Sequence, residues 1–460
     1  MLQSYIYNDR KFTFLRPFPG NANENIFTLV VGKNGTGKST LLKSIVIDFL
    51  RDNVAPSTLK YLSDISPYNR EFQIGKLAYN EVPTKVICAS TSPFDKFPVP
   101  RKNQDITYYS YLGLRGLLSQ NLGPAYMARI IFTLIAAARQ SDSHANAIAT
   151  VLDYLEYEPE IFTTSGITSP KLIDIILESD EPSLRKAIGI HFERSTVTST
   201  DANSLMKQLL EIDEKTLRQI RKATIRLSEG PRRGSIVAVL GRFGVQLLTH
   251  TNLLPEDLSL LGRYGLIKLK EVELRKRGID ETVKMSDMSS GEQSVVMGLL
   301  GIGSQLQDGA LVCIDEPEVC LHPEWQERYI QLLSHIFSHY RGCHFIIATH
   351  SPQIVAQLPD ARCYVMDMEE GIARHSTEFS KKSIDYQLAA LFKAPGFKNE
   401  YLSRLAVNTF VKVAKDKGFD PEADADYKTL DKTYTFLHKD DPLRELIESL
   451  REMHQTYGRH

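Results

Sequence analysis

A glycine-rich run of eight residues, Gly32–Ser39 (GKNGTGKS), limits the folds open to this chain more than any other feature. The run matches G-x-x-x-x-G-K-[ST] at every fixed position. An apolar stretch, Ile26–Val31, precedes it, and a helical pattern from about Ser39 to Leu50 follows. In this setting the glycines let backbone N–H groups curl around a phosphate chain at the start of a helix. The sequence therefore predicts a strand, loop and helix that bind a nucleotide.

Each residue type in this loop has a chemical reason to be there. The ammonium of Lys38 is expected to reach the β- and γ-phosphates, and the hydroxyl of Ser39 is expected to ligate Mg²⁺. ATP and Mg²⁺ are therefore the predicted cofactors. The residues predicted to bind ATP here are Asn34, Gly35, Thr36, Gly37, Lys38, Ser39 and Thr40.

Composition excludes several classes of protein. The chain has 460 residues, of which 42% are hydrophobic, and a formal net charge of −1, so neither a disordered nor a collagen-like chain fits. No apolar run approaches the roughly 18–20 residues of a membrane span, and the first residues do not have the pattern of a signal peptide. Five cysteines without a CxxC pair predict reduced, buried thiols. We expect a cytoplasmic protein with no membrane partner.

The order of predicted elements places an insert within an α/β chain. Strands are predicted near the N-terminus and at Val86–Ala89, and apolar residues then recur at helical spacing from about Leu117 to Leu260. Strands and helices alternate again between Leu266 and Met366, which predicts a mainly parallel sheet. The predicted domains are an N-terminal lobe (1–115), a helical insert (116–262), a C-terminal lobe (263–378) and a helical C-terminal extension (379–460).

A second set of polar residues follows another apolar strand, Leu311–Glu316 (LVCIDE). The carboxyl ends of parallel strands meet at one sheet edge, so this strand would deliver its last side chains beside the glycine-rich loop. Asp315 is expected to hold Mg²⁺, directly or through water. Glu316 is expected to be catalytic, as the general base that polarises water against the γ-phosphate.

A helix start lies shortly before that strand, in Met288–Gln293 (MSSGEQ). The Ser289 hydroxyl and the first N–H groups of this helix would cap a γ-phosphate, as helix N-termini do for anions. The residues predicted to bind ATP at this second place are Ser289, Ser290, Gly291 and Glu292.

Taken together, these motifs resemble the soluble ABC-type ATPases, the family that includes SMC proteins, RecF, the zinc-hook repair clamps and the OLD-like enzymes. MSSGEQ is similar to the ABC signature, and Glu316–Pro323 (EPEVCLHP) resembles the loop that crosses the dimer interface. The resemblance covers residues 1–110 and 265–370. It implies an ABC-type P-loop ATPase head, a catalytic role for His350 as the switch histidine, and a homodimer or higher oligomer with ATP clamped between P-loop and signature.

Two shorter runs, Cys88–Phe97 (CASTSPFDKF) and Tyr109–Gly113 (YSYLG), resemble the PtuA ATPases of Septu and of Septu-like retron anti-phage systems. That resemblance implies a separate HNH nuclease of the PtuB type as partner.

One departure concerns the glutamine that ABC ATPases place where the core strand meets the insert. Here Ser90–Ser92 follow the strand, and the nearest glutamine downstream is Gln104. Slow or regulated hydrolysis is compatible with this gap.

Particular residues and motifs argue against some other functions and leave one open. A zinc-hook clamp would need long coiled coils and a CxxC hook, and an OLD-type nuclease would need a Toprim domain. The sequence predicts none of these. The D-x-D of the C-terminal extension, Asp424 and Asp426, lies in a run interpreted as a solvated polar loop. The alternative left open is a RecF- or SMC-like DNA-binding ATPase for repair or recombination. Its candidate nucleic-acid patch comprises Arg218, Arg221, Lys222, Arg226, Arg232 and Arg233.

The C-terminal extension carries a further expectation. Tyr401–Lys412 is predicted to be an amphipathic helix, whose apolar face either packs on the ATPase core or docks an effector. The residues of that face are Leu402, Leu405, Ala406, Phe410 and Val411.

Overall fold

The computed structural model describes residues 1–15, 24–62, 75–100, 106–115, 117, 122–137, 142–194, 200–230, 235–249, 252–279, 281–319, 321–359 and 362–458. The strands are β1 (Leu2–Tyr7), β2 (Arg10–Thr13), β3 (Ile26–Val31), β4 (Lys76–Tyr79), β5 (Val86–Ser90), β6 (Tyr109–Leu112), β7 (Tyr157–Ile167), β8 (Ile236–Gly241), β9 (Gly244–Leu247), β10 (Ile267–Lys276), β11 (Thr282–Lys284), β12 (Leu311–Asp315), β13 (His344–Thr349), β14 (Cys363–Asp367) and β15 (Ala373–His375). The helices are α1 (Lys38–Asn53), α2 (Pro56–Leu59), α3 (Leu122–Ala137), α4 (Asp142–Tyr154), α5 (Pro170–Glu178), α6 (Leu184–Arg194), α7 (Thr200–Glu211), α8 (Glu214–Ser228), α9 (Pro255–Arg263), α10 (Ser290–Gly303), α11 (Pro323–Ile336), α12 (Pro352–Ala356), α13 (Ile384–Ala390), α14 (Glu400–Asp416), α15 (Pro421–Thr433) and α16 (Leu443–Tyr457).

A seven-stranded sheet forms the centre of the molecule, in the order β15-β14-β3-β13-β12-β5-β6. All neighbours in it are parallel except β14 and β15. The parallel strands are buried along their whole length in β3, β5, β12, β13 and β14, as expected for a sheet covered on both faces. The predicted α/β class with a mainly parallel core sheet is confirmed.

The two faces of this sheet bury separate hydrophobic clusters. Along β3, Phe27, Leu29 and Val31 pack into one cluster with α3, α4, α10 and α11, while Ile26 and Val30 pack into the other with α1 and the N-terminal strands. This alternation is the two-residue period of a strand. Burying both faces fixes the register of β3, and therefore fixes where the loop after it begins.

A small antiparallel sheet, β2-β1-β4, lies against the α1 side. Tyr5 of β1 donates its hydroxyl to Asp48 of α1 at 2.6 Å, and the N–H of Gly75 donates to the same carboxylate at 2.8 Å. Burial raises the pKa of Asp48. The strands that the sequence predicts near the N-terminus are confirmed.

The insert contains a sheet that the sequence did not predict. Its helices α3 to α9 agree with the helical pattern, but β7, β8 and β9 join β10 and β11 in an antiparallel sheet of order β11-β10-β7-β8-β9. The eleven-residue strand β7 pairs with β8 on one side and with β10 on the other. The insert is therefore mixed α and β rather than helical throughout, because long-range pairing stabilises these strands.

The C-terminal extension has a hydrophobic cluster of its own. Helices α13, α14 and α16 supply it, together with Leu430 of α15 and Leu437. On the predicted apolar face of α14, Leu402 and Ala406 are fully buried and Leu405 and Phe410 are partly buried in this cluster, whereas Val411 is 59% exposed. The face therefore packs within the extension itself, which was neither of the two expected outcomes.

The D-x-D residues lie on α15, so their interpretation as a loop is wrong. Asp420 caps this helix by accepting from the N–H of Ala423 at 2.8 Å, and Pro421 occupies its first turn. Asp424 pairs with Lys428 at 2.6 Å and with His454 at 3.2 Å. Both contacts belong to Asp424, and Asp424 and Asp426 are each half-buried on this helix.

Candidate functional site

The loop between β3 and α1 forms an open cradle. Gly35 and Gly37 have φ angles of 80° and 91°, a left-handed conformation that favours glycine. A side chain at either position would meet nothing within 4 Å, so these positions face open space. The hydroxyl of Thr36 donates to the Lys33 carbonyl at 2.9 Å and closes the turn. The N-terminus of α1 begins here without a side-chain cap, which leaves its N–H groups for an anion.

Lys38 is buried at the first position of α1 and is held by neutral acceptors. Its ammonium donates to the carbonyls of Gly32 at 2.8 Å and Lys33 at 3.2 Å, and lies 3.1 Å from Nδ1 of His350. Burial lowers the pKa of Lys38 to about 8, and the nearby carboxylates, Glu316 foremost, oppose that change. A phosphate would replace these neutral acceptors with an anionic one, which stabilises the ammonium.

The two predicted magnesium ligands are in contact. The Ser39 hydroxyl donates to Oδ1 of Asp315 at 3.0 Å, across the sheet edge from α1 to the end of β12. Burial raises the pKa of Asp315 to about 7, and the Ser39 hydrogen bond opposes the rise. Hydroxyl and carboxylate oxygens are the donors that Mg²⁺ prefers, so this pair fits the ion. Among the described residues no cluster of three or more His, Cys, Asp or Glu could hold a metal, so phosphate oxygens and water would have to complete the shell.

Glu316 and His350 face each other beside this pair. Nε2 of His350 lies 3.4 Å from Oε1 of Glu316, while Nδ1 receives the Lys38 hydrogen bond. Burial, and then the Lys38 charge, lowers the pKa of His350, which favours the neutral ring. Because Nδ1 accepts from the Lys38 ammonium, we assign the proton of the neutral ring to Nε2. Glu316 has a φ of 50°, a left-handed conformation that is uncommon outside glycine and costs of order 1–3 kcal/mol. The backbone N–H of Glu316 donates to Ala348 at 2.9 Å and helps to hold that conformation.

Sequence reasoning missed Glu318, the second glutamate of the EPE turn. Its carboxylate accepts the backbone N–H of His350. Burial raises the pKa of Glu318, and this hydrogen bond opposes the rise. The two glutamates therefore hold the histidine at different atoms, one at the ring and one at the backbone. The spacing E-x-E was visible in the sequence, but nothing in it indicated which residue the second carboxylate would meet.

The signature residues form a capped and exposed helix start. Ser289 is the N-cap of α10, and its Oγ accepts from the N–H of Glu292 at 3.3 Å. The Glu292 carboxylate in turn accepts from the Ser289 N–H at 3.0 Å and hydroxyl at 2.8 Å, which completes a capping box. Ser290 and Gly291 are the first residues of α10. In the described part of the chain, no hydrogen bond or ion pair joins the signature to the P-loop.

The end of β5, where the expected glutamine is missing, carries a serine opposite Asp315 in the sheet register. The Ser90 hydroxyl accepts the N–H of Ser92 at 3.1 Å and turns the chain away from the sheet edge. Gln104 lies outside the described residues, as does Cys320. The other four cysteines, Cys88, Cys313, Cys343 and Cys363, are buried thiols.

The candidate nucleic-acid patch is largely engaged in internal contacts. Arg226 makes a two-point ion pair with Asp257, Arg218 lies 3.6 Å from Glu181, and Arg221 donates to the Ser179 carbonyl at 3.1 Å. Arg232 and Arg233 lie outside the described residues. Within the helices that the structure describes, none has both the length and the apolar character needed to cross a bilayer.

Comparison with known proteins finds one family that matches part of the chain and several proteins of low similarity. Residues 178–356 match the family described as "AAA domain, putative AbiEii toxin, Type IV TA system". That match includes the signature, the acidic strand and His350, and it excludes the P-loop. The chain is 30% identical over 112 residues to Protein ea59 of Escherichia phage lambda, which is 23% of this chain and 21% of the phage protein. The chain thus spans about one fifth of the length of that relative.

Among solved structures, similarity extends to MJ1267, an ATP-binding cassette of an ABC transporter in its ADP conformation (12% identity, 85% of this chain, 93% of that chain, TM-score 0.25). It also extends to the Smc head domain with an extended coiled coil bound to the C-terminal domain of ScpA, derived from Pyrococcus furiosus (13%, 81%, 95%, TM-score 0.27). TM-scores of this size carry no assignment, so the assignment rests on the sheet order, the site and the family match. On these grounds the chain has an α/β fold with a mainly parallel core sheet and a P-loop, and residues 178–356 resemble the family named above.

Proposed function

We propose that this protein binds ATP with Mg²⁺ and hydrolyses it slowly or under regulation. The observation that carries the proposal is the meeting of five side chains at one sheet edge. Lys38, Ser39 and Asp315 supply the charge and oxygen donors for a magnesium-bound triphosphate, and Glu316 lies against His350. The P-loop supplies Lys38 and Ser39, the end of β12 supplies Asp315 and Glu316, and His350 follows β13, so the fold itself assembles the site.

The proposed chemistry is attack of water on the γ-phosphate. Glu316 accepts the proton of the attacking water, and Lys38 neutralises charge that develops on the phosphate oxygens. His350, neutral with its proton on Nε2, donates a hydrogen bond rather than a proton. Ser39 and Asp315 would hold Mg²⁺, which would neutralise charge on the phosphate oxygens. ADP is the leaving group, so ATP and water give ADP and phosphate. The active form of the protein is an ATP-clamped dimer, in which the exposed signature of one protomer covers the nucleotide of the other.

Two variants test the ATPase proposal. Glu316→Gln should bind ATP normally and hydrolyse it about 10²–10⁴-fold more slowly, because the general base is lost. Lys38→Ala should weaken ATP binding itself. Measuring ATP affinity by calorimetry and turnover by phosphate release separates the two effects. Near-normal turnover in Glu316→Gln would remove the base assignment, and normal affinity in Lys38→Ala would remove the P-loop assignment.

The biological role that we propose is the ATPase subunit of an anti-phage defence complex that regulates a separate HNH nuclease of the PtuB type. Two sequence segments support it, Cys88–Phe97 and Tyr109–Gly113, through their resemblance to Septu ATPases. The family description, with its toxin of a type IV TA system, agrees with a component that acts together with another protein. The exposed Val407 and Val411 on α14 give a partner an apolar place to bind.

The competing role is a DNA-binding clamp. The basic patch gives it little support, because Arg226 and Arg218 are already paired with acidic side chains. Expression of the native operon, with co-purification and mass spectrometry, tests the defence role by whether an HNH nuclease accompanies the ATPase. Binding of the purified ATPase to duplex DNA, with the steep salt dependence that phosphate contacts produce, would favour the clamp instead.

A further inference from the structure

The segment after β5 is held rigidly beside the P-loop. In this segment Asp95 and Phe97 are buried, whereas Phe94 before them and Lys96 between them are exposed. The side chains therefore alternate inward and outward. Asp95 accepts the hydroxyl of Tyr111 at 2.6 Å and the N–H of Phe97 at 3.0 Å. Arg115 donates to the carbonyls of Asp95 at 2.8 Å and Phe97 at 3.0 Å. These contacts fix the backbone from which Lys96 projects.

Lys96 reaches the first turn of α1. Its ammonium donates to the hydroxyl of Thr40 at 3.0 Å, one residue beyond the magnesium-ligating Ser39. In the part of the chain that the structure describes, Lys96 makes no hydrogen bond or ion pair with Glu316, His350 or Lys38, which mark the γ-phosphate end of the site. The α- and β-phosphates lie against the P-loop and the start of the helix that follows it.

The charge balance of the site favours a second cation. Asp315, Glu316 and Glu318 place three carboxylates near Lys38, and magnesium-bound ATP is itself an anion. Lys96 is solvent-exposed, and its recorded acceptor, the Thr40 hydroxyl, is neutral. Exchanging that hydroxyl for a phosphate oxygen replaces a neutral acceptor with an anionic one, so the hydrogen bond also becomes an ion pair.

We propose that Lys96 is a second phosphate-binding cation of the nucleotide site, which contacts the α- or β-phosphate of a nucleoside di- or triphosphate. The inference rests on the proposed nucleotide site and extends it to a residue outside the P-loop. Because both ADP and ATP carry the α- and β-phosphates, Lys96 should contribute equally to the binding of each.

The test measures binding of Mg·ADP and Mg·ATP by calorimetry. Lys96→Met, which keeps the apolar stem and removes the charge, should weaken both affinities about tenfold, the size expected for one charge-assisted hydrogen bond at a partly exposed site. Lys96→Arg should retain most of the affinity. Lys171→Met, at an exposed lysine on α5, is the matched control and should bind like the unaltered protein.

The outcomes are distinguishable. Equal affinity of Lys96→Met and unaltered protein for both nucleotides would overturn the inference, and so would weakening of ATP alone, which would place Lys96 at the γ-phosphate. If the unaltered protein bound neither nucleotide, the proposed function would fail instead. Lys96 is exposed, so thermal unfolding of each variant should match that of the unaltered protein and exclude misfolding as the cause.

Discussion

At the scale of single residues, the most consequential pKa shift is that of Asp315. The residue is 2% exposed, and burial raises the pKa of its carboxyl to about 7 from an ordinary value of 3.8. Because the pKa of Asp315 is higher in the folded than in the unfolded protein, its contribution to the free energy of unfolding is fully present below pH 3.8. That contribution is lost as the pH rises through about 7. Ionisation of Asp315 is therefore unfavourable in the free protein, and a bound Mg²⁺ would favour it.

Asp315→Asn should accordingly stabilise the free protein more at pH 8 than at pH 5.5. The amide oxygen can still accept from Ser39, so the change removes the charge and retains that hydrogen bond. The gain should differ between the two pH values by at most roughly 2 kcal/mol. Urea unfolding of both proteins at both pH values measures this difference. The same gain at pH 5.5 and pH 8 would contradict a raised pKa at Asp315.

Glu318 gives a second prediction at this scale. Its carboxylate accepts the His350 N–H, so Glu318→Ala leaves that buried donor without a partner and frees the histidine to move. We expect hydrolysis about tenfold slower, with ATP affinity little changed. Glu318→Gln keeps an acceptor and should stay within about threefold of the unaltered protein. Single-turnover assays compare the two, and equal losses in both variants would show that the charge matters rather than the hydrogen bond.

At the scale of elements, the sequence predicted the parts of the site whose signals are local. The P-loop and the acidic strand each consist of an apolar run followed at once by polar residues. The strand β7 was missed because its buried and exposed residues do not alternate regularly and its pairing partners are 70 or more residues away. The helix α15 was missed although Asp420 and Pro421 are helix-start residues. The Lys96 and Glu318 contacts depend on side-chain placement, which no periodicity encodes.

The helix α14 carries a prediction about the partner. Val407 and Val411 lie one turn apart and are 50% and 59% exposed, so Val407→Glu with Val411→Glu should fold normally. Loss of nuclease co-purification with unchanged ATP hydrolysis is the expected result. Phe243→Glu, at the tip of the β8–β9 hairpin and 93% exposed, probes the insert as the competing docking site. Loss of the nuclease only in Phe243→Glu would place the partner on the insert.

At the scale of the whole molecule, nucleotide binding and assembly should be coupled. A phosphate at the signature would take over the donors that the Ser289 capping box now satisfies within one chain. No hydrogen bond or ion pair joins the signature to its own P-loop in the described part of the chain, and we propose that the phosphate it meets belongs to a second copy. A ligand favours the state that binds it more tightly, so ATP should shift the protein toward the closed dimer.

Sedimentation velocity and crosslinking test this coupling. Glu316→Gln with Mg·ATP should sediment as a larger species than the same variant carrying Ser289→Arg, in which charge and bulk block the opposing phosphate. If a higher oligomer forms without ATP, sedimentation cannot separate the two, and crosslinking becomes the better measurement. With Ser289→Cys and Asn34→Cys in the Glu316→Gln background, a crosslink between chains should form with ATP and be absent without it. A crosslink that forms equally in both conditions, or in neither, would contradict the ATP clamp.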